Sequence, residues 1–512
     1  MTPSLEVSTT DGVVRGRRLG DLLAWRGIPY AAPPVGPLRL RAPQPVQPWT
    51  GTRDAIDFGN AAPQHRAGTA LRPGKYQPTS EDCLTLNVLA PAAMASAPRP
   101  VMVFIHGGAF TIGTTALGLY RGDRLVRRGD VVFVSLNYRL GSLGYLDFSE
   151  FSTPDRIFES NLGLRDQVAA LQWVHRNITA FGGDPDNITL FGESAGGTSV
   201  TTLMATPAAR GLFARAIAES PAPGLVNDAQ RATQWAREFV ALLGADPSDA
   251  TRALHAATPA ELGKAGNRLS AKVLAETPGL HPFGPVVDGD LLPTQPGTAF
   301  ATGTAHRVPL IIGTNAREGT LFPKVLDGLP TNAKRIDTMF ELTDPDSRAR
   351  VIAAYPGYPG PLAAVDLGGD LTFWKPSVEI ADAHAAHAPT YSYRFDFTPR
   401  LMHWLGLGAT HGFEMFAVFG YGNSPVGRAL TGPGGRRGLR FVTERMQENW
   451  INFARNGVPT PSWPRYDPEH RRTLIFDKPT RVERDPGRER RLAWAGYRGY
   501  LDGNPAEREH RA

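Results

Sequence analysis

Short apolar runs separated by turn residues and amphipathic stretches set the pattern of this chain. Cys83–Ala90, Val101–Ile105, Val131–Tyr138, Ile188–Phe191, Val308–Ile312 and Thr390–Phe397 each read as a strand. Between Val131–Tyr138 and Ile188–Phe191 the period changes. Leu162, Val168, Leu171 and Val174 fall on one face of a helix spanning Asn161–Arg176. Met446, Trp450 and Phe453 do the same in a late helix over Phe441–Arg455. Strands alternating with helices predict an α/β fold with a mostly parallel central sheet. Leu5–Tyr30, with its Gly-containing turns, predicts a small antiparallel β-meander at the edge. The Pro-rich Ala31–Trp49 predicts an extended segment lying on the surface, and Ala61–Ser80 a polar loop. The stretches 230–275 and 327–387 read as helical, loop-rich insertions, and 505–512 as a frayed tail. No repeat or low-complexity tract interrupts the chain, so 1–512 reads as one domain.

The strand Ile188–Phe191 breaks into Gly192-Glu193-Ser194-Ala195-Gly196 and then into a predicted helix, Gly197–Thr206. A serine at the tip of such a strand-to-helix turn is held with its Oγ exposed, and the flanking glycines leave room for neighbouring backbone. The helix N-terminus behind it favours developing negative charge. A hydroxyl is a weak nucleophile and needs a base, a carboxylate behind the base and an oxyanion hole. His384, His387, His403, His411 and His470 lie downstream. His411 is favoured, after a strand and beside Gly412; His384 and His387 sit in an Ala-rich helical pattern and are expected on the surface, with His403 as the fallback. Glu318 follows the strand Val308–Ile312 at its C-terminal end, where such folds place their chemistry, though a surface ion pair is the alternative. Asp288 reads as a turn residue and Glu193 as a buried supporting carboxylate. Strand Val101–Ile105 ends in His106-Gly107-Gly108-Ala109-Phe110, and the N–H groups of Gly108, Ala109 and Ala195 are the expected oxyanion donors.

Bulk properties narrow the classes. The apolar fraction of 41% supports a large core, and the net charge of +6 is spread among interspersed acids and bases. Clusters such as Arg15–Arg18 and Arg436–Arg440 lack interleaved aromatics, which argues against nucleic acid. No apolar run reaches the ~18 residues of a membrane span, and the first twenty residues have no apolar signal core. One cysteine, Cys83, excludes an intrachain disulfide and fits a reducing compartment. The expected location is the cytoplasm. No His, Cys and carboxylate set has metal-ligand spacing, so neither metal nor cofactor is expected.

Taken together, these residues resemble the type-B carboxylesterase family, which includes bacterial para-nitrobenzyl esterases and cholinesterases. The resemblance runs from Arg26-Gly27-Ile28-Pro29-Tyr30-Ala31 through Ser80–Val88, Asn161–Gln167 and Phe181–Pro185 to Trp450–Arg455. It implies an α/β-hydrolase fold and a triad of Ser194, Glu318 and His411. It implies a serine carboxylesterase acting on small to medium uncharged esters. Amide, carbamate or lactone hydrolysis by the same triad is the alternative, and a non-catalytic binding protein of the same fold a more distant one.

Four departures qualify the likeness. Where secreted members carry a partner cysteine, this chain reads Ala62-Pro63-Gln64, leaving Cys83 unpaired. The chain has no Trp between Trp49 and Trp173, so it lacks the residue with which cholinesterases hold a quaternary ammonium. The glycine triplet of many relatives is Gly107-Gly108-Ala109 here, a loop that in related enzymes goes with esters of bulky alcohols. The acyl-pocket segment reads Leu280-His281-Pro282-Phe283.

Overall fold

The computed structural model describes residues 4–325 and 327–500; the expected tail at 505–512 lies outside them. Its centre is an eleven-stranded sheet. In chain order the strands are β1 (Arg17–Leu19), β2 (Leu22–Pro29), β3 (Thr85–Pro91), β4 (Arg99–Ile105), β5 (Val132–Leu136) and β6 (Gly183–Glu193). They continue with β7 (Arg215–Glu219), β8 (Leu310–Asn315), β9 (Thr390–Phe395), β10 (Arg472–Phe476) and β11 (Arg481–Arg484). Across the sheet the order is β11-β10-β9-β8-β7-β6-β4-β5-β3-β2-β1. The pairings from β10 to β5 are parallel, and both flanks are antiparallel.

The central strands are apolar on both faces because both are covered. Val101, Val103 and Ile105 of β4 pack into one cluster with helix α1 (Leu162–Asn177). Met102 and Phe104 pack into another with helix α3 (Arg436–Asn456). Alternation along a strand therefore sends successive side chains into two different cores. Leu162, Val168, Leu171 and Val174 are all buried, as their spacing predicts.

The predicted N-terminal meander is divided between two sheets. Glu6–Ser8 pairs antiparallel with Val13–Arg15, which pairs parallel with Thr52–Asp54, whereas β1 and β2 extend the large sheet. Inside the expected polar loop, Ala70–Arg72 and Lys75–Tyr76 form a small hairpin. Three strands, β7, β10 and β11, lie where no strand is expected from the sequence. No helix among the described residues is long and apolar enough to cross a membrane.

Candidate active site

Ser194 follows directly on β6, between the parallel neighbours β4 and β7, and precedes helix α2 (Ala195–Met204). Its backbone is strained, with φ 59° and ψ −122°. The turn is crowded enough to require its glycines. A Cβ at Gly196 would lie 2.0 Å from the Ile105 carbonyl oxygen, and one at Gly192 would lie 2.6 Å from the carbonyl carbon of Gly196. The Ser194 N–H donates to the Glu219 carbonyl at 2.9 Å, which ties the turn to β7.

His411 and Glu318 arrive together from two further strand ends. The Arg317 N–H donates to the Ala409 carbonyl at 3.0 Å, and Arg317 and Thr410 form a parallel bridge. This clip brings a residue after β8 and one after β9 side by side. His411 Nε2 stands 2.8 Å from Ser194 Oγ, and its Nδ1 stands 2.6 Å from Glu318 Oε2. The second Glu318 oxygen accepts the Asn315 N–H at 2.6 Å and the Ser220 hydroxyl at 2.7 Å. Glu318, 3 % exposed, is thus fixed by both oxygens and is not a surface ion-pair residue; Arg317 pairs with Asp366 instead.

Glu193, Glu219 and Glu414 are also buried in this region. Glu193 Oε1 lies 3.3 Å from His411 Nε2, on the Ser194 side of the ring rather than behind it. Burial raises the Glu193 carboxyl to about 7, with His411 opposing the rise and Glu318 adding to it. Burial likewise raises Glu414 to about 8, helped by the charges of Glu193 and Glu318. Glu219 is held well above the carboxylate range by burial first and Glu414 next, and its Oε1 accepts the Trp450 indole N–H at 2.7 Å. For His411, burial works against the proton. The carboxylates of Glu193 and Glu318 outweigh burial and leave the imidazole above its ordinary value.

The loop after β4 carries the expected oxyanion donors. Gly108 has φ 119°, and Ala109 and Phe110 hold the left-handed conformation at φ 52° and 57°. A Cβ at Gly107 would lie 2.9 Å from Ser194 Cβ, so this loop runs directly against the serine. The loop is braced from behind by Gln64, which accepts the Gly113 N–H at 2.7 Å and donates to the Gly113 carbonyl at 2.8 Å. Among the described residues no acceptor takes the N–H of Gly108 or Ala109. Ala195 opens helix α2, where the first N–H groups precede the helical ladder.

Phe373 and Phe322 pack on the His411 ring at centroid distances of 4.3 and 5.2 Å, joined by Ala222 and Leu329 in a small apolar cluster. Phe373 sits in a π-helical turn, Asp370–Trp374.

The other sequence candidates lie elsewhere. His384 is buried, not exposed: its Nε2 stands 2.9 Å from the Val308 carbonyl, and it continues the inward stripe of Ser377, Ile380 and Ala381. His387 is partly exposed and His403 is exposed on the short helix Arg400–Trp404. Asp288 is a turn residue, accepting the N–H groups of Asp290 and Leu292 and donors from Ser160 and Asn161. Ligand-capable atoms of Asp467, Glu469 and His470 lie within 4.8 Å of one another, a grouping absent from the sequence expectation. Asp467 there already accepts bonds from His470 and Arg472.

Ser220, Glu219, Glu414 and Asn315 were not among the sequence candidates. The signal for the first two was Ala216-Ile217-Ala218, a short apolar run ending in Glu219-Ser220.

The sequence model of the carboxylesterase family matches residues 3–351 and 362–494. A para-nitrobenzyl esterase of Bacillus subtilis is 39% identical over 494 residues, covering 95% of this chain and 97% of its own. A fumonisin B1 esterase of Sphingopyxis macrogoltabida is 37% identical over 487 residues, covering 91% of this chain and 85% of its own. The crystal structure of a Geobacillus stearothermophilus carboxylesterase superposes with a TM-score of 0.83 at 34% identity, over 96% of this chain and all of the other.

Proposed function

The chain belongs to the carboxylesterase family of α/β-hydrolase serine esterases and hydrolyses ester bonds, and from that premise we propose that Ser194, His411 and Glu318 are its catalytic triad. The observation that carries this reading is the unbroken relay of 2.8 Å from Ser194 Oγ to His411 Nε2 and 2.6 Å from His411 Nδ1 to Glu318. His411 takes the Ser194 proton as Oγ attacks the ester carbonyl. The N–H groups of Gly108, Ala109 and Ala195 receive the tetrahedral oxyanion, and His411 returns the proton to the leaving alcohol. Water, activated by the same imidazole, then hydrolyses the acyl-enzyme. Glu318 fixes the Nδ1–H tautomer and stabilises the imidazolium, and Ser220 and the Asn315 N–H keep that carboxylate in place.

The preferred substrates are small to medium uncharged esters. The apolar wall of Phe322, Phe373, Ala222 and Leu329 beside the imidazole supports this class. The name of the similar para-nitrobenzyl esterase supports an alcohol side that extends to aromatic groups. A reducing, cytoplasmic setting fits the single buried Cys83.

The test is a panel of p-nitrophenyl acetate, butyrate and octanoate with matched amides and lactones. The reading expects ester turnover to exceed that of each matched amide and lactone, with acetate and butyrate ahead of octanoate. An amide or lactone hydrolysed faster than its matched ester would overturn the substrate class.

A further inference from the structure

Away from Ser194, the edge of the large sheet holds a second polar feature that ester hydrolysis does not use. Strands β1 and β2, the loop at Phe58 and the segment around Tyr120 enclose a cavity of about 190 Å3. Leu19, Leu22, Ala24, Leu89 and Phe133 line it with apolar surface, while Arg26 and Arg121 stand among the lining residues. Arg17 pairs with Ala24 across β1 and β2, so it shares the face that Ala24 and Arg26 present.

Arg127, which also lines the cavity, is bonded to Asp21 and Asp123 at 2.9 and 2.8 Å, so the one acid in the lining, Asp123, is already engaged. Neither Arg26 nor Arg121 has an ion pair within 4.0 Å or a hydrogen-bonded side-chain partner among the described residues. The Arg26 guanidinium instead lies 4.4 Å over the Phe58 ring. Arg17 reaches only Asp57, at 4.0 Å, and its Nε is buried without an acceptor. Burial, and then the neighbouring charges of Arg17 and Arg121, lower Arg26 to about 10, with Asp57 opposing. Positive charge has been gathered here at a cost, with the exposed Asp57, 4.0 Å from Arg17, set against three guanidiniums.

We propose that this cavity is a binding site for short- to medium-chain organic carboxylates, with the carboxylate between Arg26 and Arg121 and the chain on the apolar floor. A guanidinium supplies the paired donors that a carboxylate accepts. An inorganic anion would satisfy the arginines and leave the floor unused, and a neutral alcohol would do the reverse. Acids of this class are what ester hydrolysis releases, so product is one occupant that the site fits; this link rests on the esterase reading, whereas the binding site does not.

The experiment is calorimetric titration of the full chain with sodium octanoate, sodium butyrate, octanol and sodium phosphate. It is run on wild type, Arg26→Gln and Arg121→Gln, with p-nitrophenyl butyrate turnover as the control for folding and for the Ser194 site. Octanoate affinity is expected to fall at least about tenfold in both variants while turnover is unchanged. Arg121 is exposed, so its variant decides the matter if Arg26→Gln fails to fold. Unchanged octanoate binding in Arg121→Gln overturns the proposal. So does octanol binding as tightly as octanoate, or phosphate binding as tightly as octanoate.

Discussion

Ser194 and His411 are 217 positions apart in the chain and 2.8 Å apart in space. Between them the decisive variable is which group holds the proton. To serve as base, His411 must be unprotonated, yet the carboxylates of Glu193 and Glu318 outweigh burial and raise its affinity for a proton. Activity should therefore fall as pH drops through the His411 pKa, and that pKa should depend on the charge of Glu193. Glu193→Gln keeps the shape and removes the charge, so the acid limb of kcat/KM should move to lower pH by about one unit. A pH–rate profile on p-nitrophenyl butyrate measures it; an unmoved limb, or one moved upward, would show that Glu193 does not set the His411 proton. At this scale Ser194 and His411 were legible as candidates in their local motifs, and Glu318 through the family resemblance, since its own surroundings read equally as a surface ion pair. Ser220 and Glu414 carried no motif of their own, and a lone Ser or Glu in a sequence gives no sign that it will be buried behind a carboxylate from another strand.

The elements that aim these residues are turns whose backbone leaves no space for a side chain. Gly108 is the sharpest case, with φ 119° and a would-be Cβ 2.0 Å from the Ile112 carbonyl oxygen. Gly108→Ala should displace the donor loop from the serine and lower kcat by about 10²–10³, with KM less affected. Steady-state kinetics beside a thermal melt check this; a folded variant with undiminished kcat would separate the loop from the chemistry. Element by element, most strands visible in the sequence were those rich in apolar residues, because they are largely buried on both faces. β7 is only five residues, Arg215–Glu219, with an ionisable residue at each end. β11, Arg481–Arg484, is the edge strand and is largely exposed, so its apolar signal is weak, whereas β10 is buried after Arg472 but offers only the short apolar run Leu474-Ile475-Phe476. His384 was misjudged for a related reason. The alanines around it read as a neutral surface, yet Ser377, Ile380, Ala381 and His384 form one inward stripe against the sheet.

In the molecule as a whole, the parallel centre of the sheet directs the ends of β6, β7, β8 and β9 to one edge. Ser194, Ser220, Glu318 and His411 each follow one of those strand ends. The late helix α3 reaches the same place from the opposite core: Trp450 donates to Glu219, whose carbonyl holds the Ser194 N–H. The alternation of strand and helix along the chain was enough to foresee the α/β class, and the N-terminal turns an antiparallel edge, but not the antiparallel flank at β11 or the pairing of β2 with β3, because pairing across a sheet depends on contacts between distant segments. The central claim is that this whole arrangement serves one nucleophile. Its most direct test is the initial rate of p-nitrophenyl butyrate hydrolysis by wild type and Ser194→Ala, both shown to be folded by their thermal melts. The account predicts a loss of about 10³-fold or more in kcat/KM; a folded Ser194→Ala that keeps its rate within about tenfold of wild type would contradict it.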